Sequence, residues 1–335
     1  MYRQNTKEEE SAMQQNGRSP RQGDRRGVKQ ADRLLKMQGK LDRGPVDFKT
    51  HIAEQESQIL AVGTKDVIAI PPTQTIISAI GTMTKYGFRR LPVIDPGTKK
   101  LRGIITSGDV INLMGGGDKF RLVQVRHGGN LIAALNEPVR AIMTQHLETL
   151  PVSASLEDAL SIITGKKIGG LPIIDNDGVL AGIVTERDVL GVLASERSTL
   201  NVEDVMTTSL RVIDPDNAIF NATRDMIQFR FRRLPVVSED ILYGMITASD
   251  LLMYLGSGEV FRRLTTGDVG EVMALPVRTL IRGDLVTTAP ENNLNNAARE
   301  MLDKNIGCLP VIEDSKLIGL VTEFDLVKGF AEEMS

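Results

Sequence analysis

Four aspartates in this chain stand in the same local sequence, and each has the chemistry to bind the two hydroxyls of a ribose. Each closes a Gly-apolar-apolar-Thr-x-x-Asp segment that starts about ten residues after a Leu-Pro pair. A carboxylate at a helix N-terminus can accept charge-assisted hydrogen bonds from a cis-diol, and the free N–H groups there favour an anion. The pattern therefore predicts four sites for a ribose that carries phosphate. The threonine and aspartate pairs are Thr106 with Asp109, Thr185 with Asp188, Thr247 with Asp250, and Thr322 with Asp325.

The same segments also have a purely structural interpretation, the helix capping box. In a capping box the threonine is the N-cap, and the acid three residues later bonds back to the backbone of the cap. Capping boxes favour Glu or Gln at that position, whereas all four copies carry the shorter Asp. The two roles are compatible, and we expect the aspartates to bind ribose as well as to cap helices.

Two arginine pairs, each in the sequence FRRLP, are suited to bind phosphate. Arg89 and Arg90 precede the first Leu-Pro pair, and Arg232 and Arg233 precede the third. A guanidinium group stays charged at any working pH and binds phosphate oxygens bidentately. The alternation of side chains along a strand predicts that one arginine of each pair faces solvent. The second and fourth Leu-Pro pairs follow Gly-Gly and Gly-Cys instead, so we expect the four sites to differ in phosphate affinity.

The spacing of the four copies indicates a duplicated pair. The aspartates are 79, 62 and 75 positions apart, and only the first and third copies continue into an insertion, VINLMGGGDKFRL and LLMYLGSGEVFRRL. The glycines of these insertions do not form a G-x-x-x-x-G-K-[ST] phosphate loop, and their matching positions favour a turn. The chain is thus organised as A-B-A′-B′, and each repeat is one copied structural unit.

Hydrophobic spacing within each copy predicts the order strand, helix, strand, strand, helix, which places the chain in the α/β (α+β) class. In the second repeat, Leu147–Leu150 is predicted as a strand and Ser155 as the N-cap of the next helix. Two strands over Leu171–Asp175 and Val179–Thr185 are predicted to flank an Asn-Asp-Gly turn, before the helix ERDVLGVLA. A unit of about 60 residues buries little surface alone, so we expect repeats to pair.

These motifs resemble cystathionine-β-synthase (CBS) domains, arranged as two tandem pairs of the kind called Bateman modules. The resemblance covers roughly residues 60–335, and the insertions are similar to those of archaeal relatives of the γ subunit of AMP-activated protein kinase. It implies that clefts between paired repeats bind adenosine-containing ligands such as AMP, ADP or ATP, that the paired arginines contact phosphate, and that Arg187 is a further phosphate ligand. The predicted boundaries are 1–55 for a basic tail and 60–122, 138–198, 201–265 and 276–335 for the four repeats.

Composition and charge narrow the class of protein. The first 50 residues hold 12 Lys or Arg against 7 Asp or Glu, and this segment is too polar to bury a core. We expect it to be disordered at least to residue 30, with a short helix over Ala31–Leu41. No apolar run approaches the roughly 18 residues that span a bilayer, and the N-terminus is unlike a signal peptide. We therefore expect a cytoplasmic protein without a membrane partner, and we expect its single cysteine, Cys308, to be a small buried residue.

These observations together predict a non-catalytic sensor that binds adenine nucleotides and passes a population shift to a protein partner or to a second copy in a homodimer. S-adenosylmethionine is an alternative ligand, although it has no phosphate for the arginines. A nucleic-acid-associated regulator that uses the basic tail is another alternative, which the acidic remainder of the chain disfavours. An enzyme is not expected, because there is no nucleophile motif and no metal-ligand spacing among His51, His127 and His146.

Overall fold

The computed structural model describes residues 46–47, 58–281 and 285–334. The predictions for the N-terminal tail, including the helix over Ala31–Leu41, lie outside these residues. All of the described residues fall within one compact unit.

Each of the four repeats contains a helix, two strands and a second helix in that order. Up to the end of repeat one the elements are β1 (Val46–Asp47), α1 (Gln58–Val62), β2 (Ile68–Ala69), α2 (Ile76–Tyr86), β3 (Arg90–Ile94), β4 (Leu101–Thr106) and α3 (Ser107–Met114). The first insertion adds a π-helix (Leu122–Arg126), α4 (Leu131–Leu135) and a short 3-10 helix (Val139–Ala141). Repeat two contains β5 (Leu150–Pro151), α5 (Leu156–Lys166), β6 (Gly170–Ile174), β7 (Leu180–Thr185) and α6 (Glu186–Leu193).

The second half repeats this order, except that the predicted first strand of repeats three and four is reduced to a single parallel bridge, between Ile213 and Val236 and between Thr288 and Val311. Repeat three contains α7 (Val202–Val205), α8 (Ile219–Gln228), β8 (Arg233–Ser238), β9 (Ile241–Thr247) and α9 (Ala248–Gly256). Its insertion adds α10 (Glu259–Arg263), α11 (Val269–Met273) and a short 3-10 helix (Val277–Thr279). Repeat four contains α12 (Leu294–Asp303), β10 (Cys308–Glu313), β11 (Lys316–Thr322) and α13 (Glu323–Met334).

The second repeat folds largely as its sequence predicts. Ser155 is the N-cap of α5, and it forms a capping box in which Asp158 accepts from the Ser155 N–H at 2.9 Å. The helix ends at Lys167, which adopts the left-handed conformation with φ of 54°. The first strand is shorter than predicted and begins only at Leu150, because it pairs in parallel with β6 over just two residues.

The Leu-Pro segment and the motif segment of each repeat form an antiparallel hairpin. Leu91 pairs with Ile105 in repeat one, and Leu309 pairs with Val321 in repeat four. The second strand of every hairpin ends at the motif threonine, and a helix starts at the next residue. Each motif aspartate therefore lies in the first turn of a helix, where it can cap the helix and face a ligand.

The two large hydrophobic cores join repeats of the same type. One core combines helices α2, α3, α8 and α9 of repeats one and three, and the other combines α5, α6, α12 and α13 of repeats two and four. Met83 and Leu255 are buried in the first core, and Leu193 and Phe330 are buried in the second. The pairing that the short repeats need thus takes place between corresponding copies.

Consecutive repeats contact each other through their sheet side. Thr64 and Ile183 exchange backbone hydrogen bonds of 2.8 and 3.0 Å between repeats one and two. Thr207 and Leu320 exchange two bonds of 2.9 Å between repeats three and four. Each repeat is therefore packed against both its neighbour in sequence and its counterpart in the other half.

Candidate functional site

A cavity of about 680 Å³ is bordered by residues from all four repeats. The first turns of three motif helices line the cavity, through Ser107 in repeat one, residues 186–188 in repeat two and residues 248–250 in repeat three. Repeat four lines it with residues 305–308, which precede its first long strand. The fold thus brings together the starts of helices that lie far apart in sequence. This cavity is the candidate ligand site.

Capping boxes form at all four motifs. The Oδ2 atom of Asp188 accepts from the Thr185 N–H at 2.8 Å and from its hydroxyl at 2.7 Å. The corresponding bonds of the other three aspartates measure 2.6 to 2.9 Å. The capping interpretation of the motif is therefore confirmed as structure. Because these bonds engage the Oδ2 atom of each aspartate, capping by itself does not occupy the Oδ1 atom.

The four aspartates do not share one environment. Asp188 and Asp250 line the cavity together with Thr185 and Thr247. The pairs from repeats one and four, Thr106 with Asp109 and Thr322 with Asp325, lie outside the set of residues that line it. The ribose-binding role of all eight residues remains a prediction, and the cavity makes the second and third motifs its strongest candidates.

Burial changes the titration of two motif aspartates. It raises the pKa of Asp188 above its ordinary 3.8, against the opposing effects of the Thr185 hydrogen bonds and of Arg90 and Arg187. Burial likewise raises the pKa of Asp325, against the bonds from Thr322. A partly desolvated carboxylate forms stronger hydrogen bonds with a ligand than one in bulk water, since the local dielectric constant is lower.

All five predicted phosphate ligands line the same cavity. They are Arg89, Arg90, Arg187, Arg232 and Arg233. The prediction that strand alternation turns one arginine of each pair to solvent is wrong, because β3 and β8 begin only at the second arginine of each pair. The first arginine of each pair precedes the strand, so the alternation of side chains along the strand does not fix its direction. Both arginines of each pair therefore line the cavity.

The glycines of the even repeats make room for the arginines of the odd ones. Arg90 donates a hydrogen bond to the carbonyl of Gly169, and Arg233 donates one to the carbonyl of Gly307. A Cβ atom at Gly170 would overlap the Arg90 guanidinium group. Burial, with help from Arg232, lowers the pKa of Arg90 to about 10, which still leaves it charged at neutral pH. The arginines that precede Leu-Pro in the odd repeats thus contact the glycines that precede Leu-Pro in the even repeats.

Two buried glutamates hold the remaining arginines, and the sequence analysis did not identify them. Glu323 accepts from Arg89 at 2.8 Å and from Arg187 at 2.8 Å, and Glu186 accepts from Arg232 at 3.1 Å. Both glutamate side chains are nearly inaccessible, at 1% and 3% exposure. The sequence feature that could have identified them is the residue after the motif threonine, because only the even repeats have Glu there, in the pattern Thr-Glu-x-Asp. Each of these pairs links two different repeats.

Burial alone would raise the pKa of Glu323, but Arg89 and Arg187 outweigh it and hold the pKa below its ordinary value of 4.5. Arg187 also donates to the side chain of Asn305 at 2.6 Å and to the carbonyl of Ile306 at 2.7 Å. Glu323 is therefore ionised at neutral pH and, with Arg187, connects repeats two and four.

The other residues considered from the sequence have modest roles. Cys308 is half buried at the cavity wall, so the expectation of full burial was wrong. The side chain of His127 contacts Glu137 at 2.9 Å, away from the cavity. Among the described residues, no cluster of three or more His, Cys, Asp or Glu side chains is arranged to hold a metal ion. In the same part of the chain, no helix combines the length and apolar character needed to cross a bilayer.

Comparison with known proteins assigns the four repeats. The CBS domain family matches residues 59–116, 139–195, 202–257 and 269–332. The chain belongs to the CBS-domain family. Its fold is therefore a mixed α/β array of four CBS repeats in two tandem Bateman modules, as the motifs predicted.

Two relatives match most of this chain and most of their own length. The CBS-domain chain is 37% identical over 269 residues to the protein MJ1225 of Methanocaldococcus jannaschii, which covers 80% of this chain and 96% of that protein. It is 27% identical over 270 residues to a 33.4 kDa protein of Thermofilum pendens, which covers 80% of this chain and 89% of that protein. The crystal structure of MJ1225, described as a candidate archaeal homologue of γ-AMPK, aligns with a TM-score of 0.78 at 36% identity and covers 82% of this chain and 99% of the other.

Proposed function

We propose that this CBS-domain protein is a non-catalytic cytoplasmic sensor that binds the adenine nucleotides AMP, ADP or ATP and signals their level to a protein partner or a second copy of the chain. The observation that supports this proposal most directly is the convergence of five arginines and two motif aspartates on one cavity. Asp188 and Asp250 offer carboxylate oxygens to ribose hydroxyls, and the guanidinium groups offer paired donors to phosphate.

Part of the cavity wall is apolar, as a purine requires. The lining includes Val67 and Pro92 of repeat one and Ile281 and Pro310 of repeat four. Apolar walls with a few placed polar groups are typical of small-molecule sites, and the volume of about 680 Å³ lies within their usual range of roughly 300 to 1,000 Å³. We propose that nucleotides bind at the motifs of Asp188 and Asp250, with their phosphates directed to the arginines.

The ion pairs between repeats provide a way to convert binding into a signal. Arg89 bonds Glu323 of repeat four, and Arg232 bonds Glu186 of repeat two. A bound phosphate competes with these glutamates for the same guanidinium groups. Because each pair connects two repeats, a nucleotide that replaces a glutamate changes the free energy of their packing. The ligand therefore favours one arrangement of the repeats over another.

AMP is expected to stabilise the native protein. A ligand that binds only the native state raises the free energy of unfolding by RT ln(1 + [L]/Kd), which is about 2.7 kcal/mol at a hundred-fold excess over Kd. The melting temperature should therefore rise by several degrees with millimolar AMP, ADP or ATP, as measured by differential scanning calorimetry. Adenosine, which lacks the phosphate, should produce a much smaller shift.

S-adenosylmethionine is the comparison ligand for this experiment. It carries ribose and adenine but no phosphate, so it offers the five arginines only a single carboxylate beside a cationic sulfonium, and we expect it to raise the melting temperature less than AMP does. A melting temperature that responds to S-adenosylmethionine and not to millimolar adenine nucleotides would overturn the phosphate-binding role of the arginines.

A further inference from the structure

The cavity arginines form two clusters, each around a buried glutamate of an even repeat. In the first, the Glu186 cluster, Arg232 donates to both carboxylate oxygens of Glu186, at 3.1 and 3.2 Å. Arg90 donates to the carbonyl of Gly169. A Cβ atom at Gly169 would lie 2.7 Å from Arg90 and 2.8 Å from Arg232, so the two guanidinium groups meet at this glycine. The Glu186 cluster thus has two guanidinium groups and one carboxylate.

The second, the Glu323 cluster, repeats this arrangement and adds an arginine. Arg89 donates to Glu323 at 2.8 Å. Arg233 donates to the carbonyl of Gly307, and a Cβ atom at Gly307 would lie 3.1 Å from Arg89 and 3.3 Å from Arg233. The Nε atom of Arg187 also donates to Glu323, at 2.8 Å. Three guanidinium groups therefore surround one carboxylate in this cluster.

One motif position accounts for the additional arginine. The residue between the motif glutamate and aspartate is Arg187 in repeat two and Phe324 in repeat four. Arg187 lines the cavity, and Phe324 lies outside its lining. The Asn305 side chain accepts from Arg187 at 2.6 Å, and its counterpart in repeat two is Lys167. Both of these residues adopt the left-handed conformation, with φ of 51° and 54°. The two clusters thus occupy equivalent places in the fold but differ by one guanidinium group.

The additional arginine changes the cost of binding phosphate. When a phosphate takes Arg89, Arg187 keeps the Glu323 carboxylate paired. Among the residues that the structure describes, Arg232 is the only arginine that bonds the carboxylate of Glu186. A phosphate that takes Arg232 therefore leaves a carboxylate that is 3% exposed without this partner, which is costly. The Glu323 cluster thus has two arginines that phosphate can bind at low cost, and the Glu186 cluster has one.

We propose that Arg187 makes the Glu323 cluster the preferred place for the phosphate chain of ADP or ATP, whereas the Glu186 cluster suits the single phosphate of AMP. This inference rests on the proposed function and names the nucleotide that each cluster selects. The phosphate chain of ATP carries more negative charge than the phosphate of AMP, and its attraction to a fixed cation grows with that charge. Two available guanidinium groups can also bind two phosphate groups. Different nucleotides then fill the two clusters, and the protein responds to the proportion of AMP to ATP.

Arg187→Gln should lower the affinity for ATP by about ten-fold or more, the equivalent of 1.4 kcal/mol, and the affinity for AMP by much less. Without the charge of Arg187, a phosphate that takes Arg89 leaves Glu323 without a counter-charge. Isothermal titration calorimetry of AMP and of ATP into the full chain, in buffer without Mg²⁺, measures both affinities. Arg102→Gln is the matched control, because Arg102 forms an exposed ion pair with Asp95 at 3.7 Å and its loss changes the net charge equally.

A transplant tests the same difference in the other direction. Phe324→Arg gives repeat four the motif residue of repeat two, and Lys167→Asn gives repeat two the partner residue of repeat four. The double variant has the same net charge as the wild-type protein. It should bind one further ATP per chain, or bind ATP at its weaker site at least about ten-fold more tightly. Lys167→Asn alone is the control and should bind ATP as the wild-type protein does.

The outcomes separate this inference from the proposed function. If Arg187→Gln weakens AMP and ATP by the same factor, or weakens neither, Arg187 does not select the longer phosphate chain, and the proposed function stands. A double variant that binds ATP no more tightly than wild type overturns the inference as well. If the wild-type protein binds neither nucleotide, the proposed function fails and the inference fails with it. Should Arg187→Gln not fold, the double variant decides alone.

Discussion

Replacing Asp188 and Asp250 by asparagine will lower the affinity for AMP at each altered site by on the order of 2 to 4 kcal/mol. Asparagine keeps the size of the side chain but removes the charge that strengthens hydrogen bonds from two ribose hydroxyls. The loss corresponds to about thirty-fold or more in the dissociation constant. Calorimetric titration of each single variant and of the double variant should show one weakened site in each single variant and two in the double variant.

The control for this experiment is the capping box of α5. Asp158 accepts from Ser155 in the same geometry, but it lies outside the cavity lining. Asp158→Asn should therefore reduce thermal stability by about 1 kcal/mol, as loss of a cap does, and leave the affinity for AMP unchanged. If Asp188→Asn and Asp250→Asn behave like Asp158→Asn, the motif aspartates are caps alone and their ribose role must be abandoned.

Glu323→Gln is expected to destabilise the folded protein by about 3 to 5 kcal/mol, which is the usual cost of removing one partner from a buried ion pair. Glu323 is 1% exposed and neutralises Arg89 and Arg187, whose side chains are 27% and 25% exposed. The amide would leave two guanidinium groups facing each other without a counter-charge. Chemical denaturation followed by circular dichroism at neutral pH measures the loss.

The pH dependence of this effect has a definite sign. Because the pKa of Glu323 is lower in the folded protein than its ordinary 4.5, its contribution to stability is present above that value and is lost as the pH falls through the folded pKa. Glu323→Gln should abolish this part of the acid destabilisation. Glu300→Gln is the control, since Glu300 pairs with Lys304 on the surface at 3.0 Å and should contribute no more than about 1 kcal/mol.

AMP connects this experiment to the proposed function. If a phosphate replaces Glu323 as the partner of the arginines, AMP should stabilise Glu323→Gln more than it stabilises the wild-type protein. A variant as stable as wild type, with the same response to acid and to AMP, would show that the ion pairs are not net stabilising and that ligand binding is not linked to them.

The local elements were predictable because their causes are local. Ser155 caps its helix within four residues of sequence, and the Leu-Pro strand is joined to the motif strand by a short turn. The four-fold repetition of the motif also placed each aspartate in the first turn of a helix. These features depend on backbone hydrogen bonds and side-chain periodicity, which a single sequence displays directly.

The composition of the site was only partly predictable, because it depends on contacts between distant repeats. Glu323 lies 234 positions from Arg89, and no local pattern indicates that they meet. The contact of Arg187 with Asn305 likewise joins residues 118 positions apart. Arg89 was misjudged because the exact start of β3 decides whether strand alternation applies to it.

The sharing of each core by corresponding repeats has a consequence for how this chain could have arisen. In the intact protein, the helices of one half bury their apolar faces against the equivalent helices of the other half. A single half has faces of the same design, so two identical halves could bury them around a two-fold axis in an isologous dimer. The connection between residues 198 and 201 then acts as a tether, which replaces a concentration-dependent association with an intramolecular one. Gene duplication would thus have released the two halves from symmetry. A difference such as that between Asp250, which lines the cavity, and Asp109, which does not, could then evolve in one copy alone.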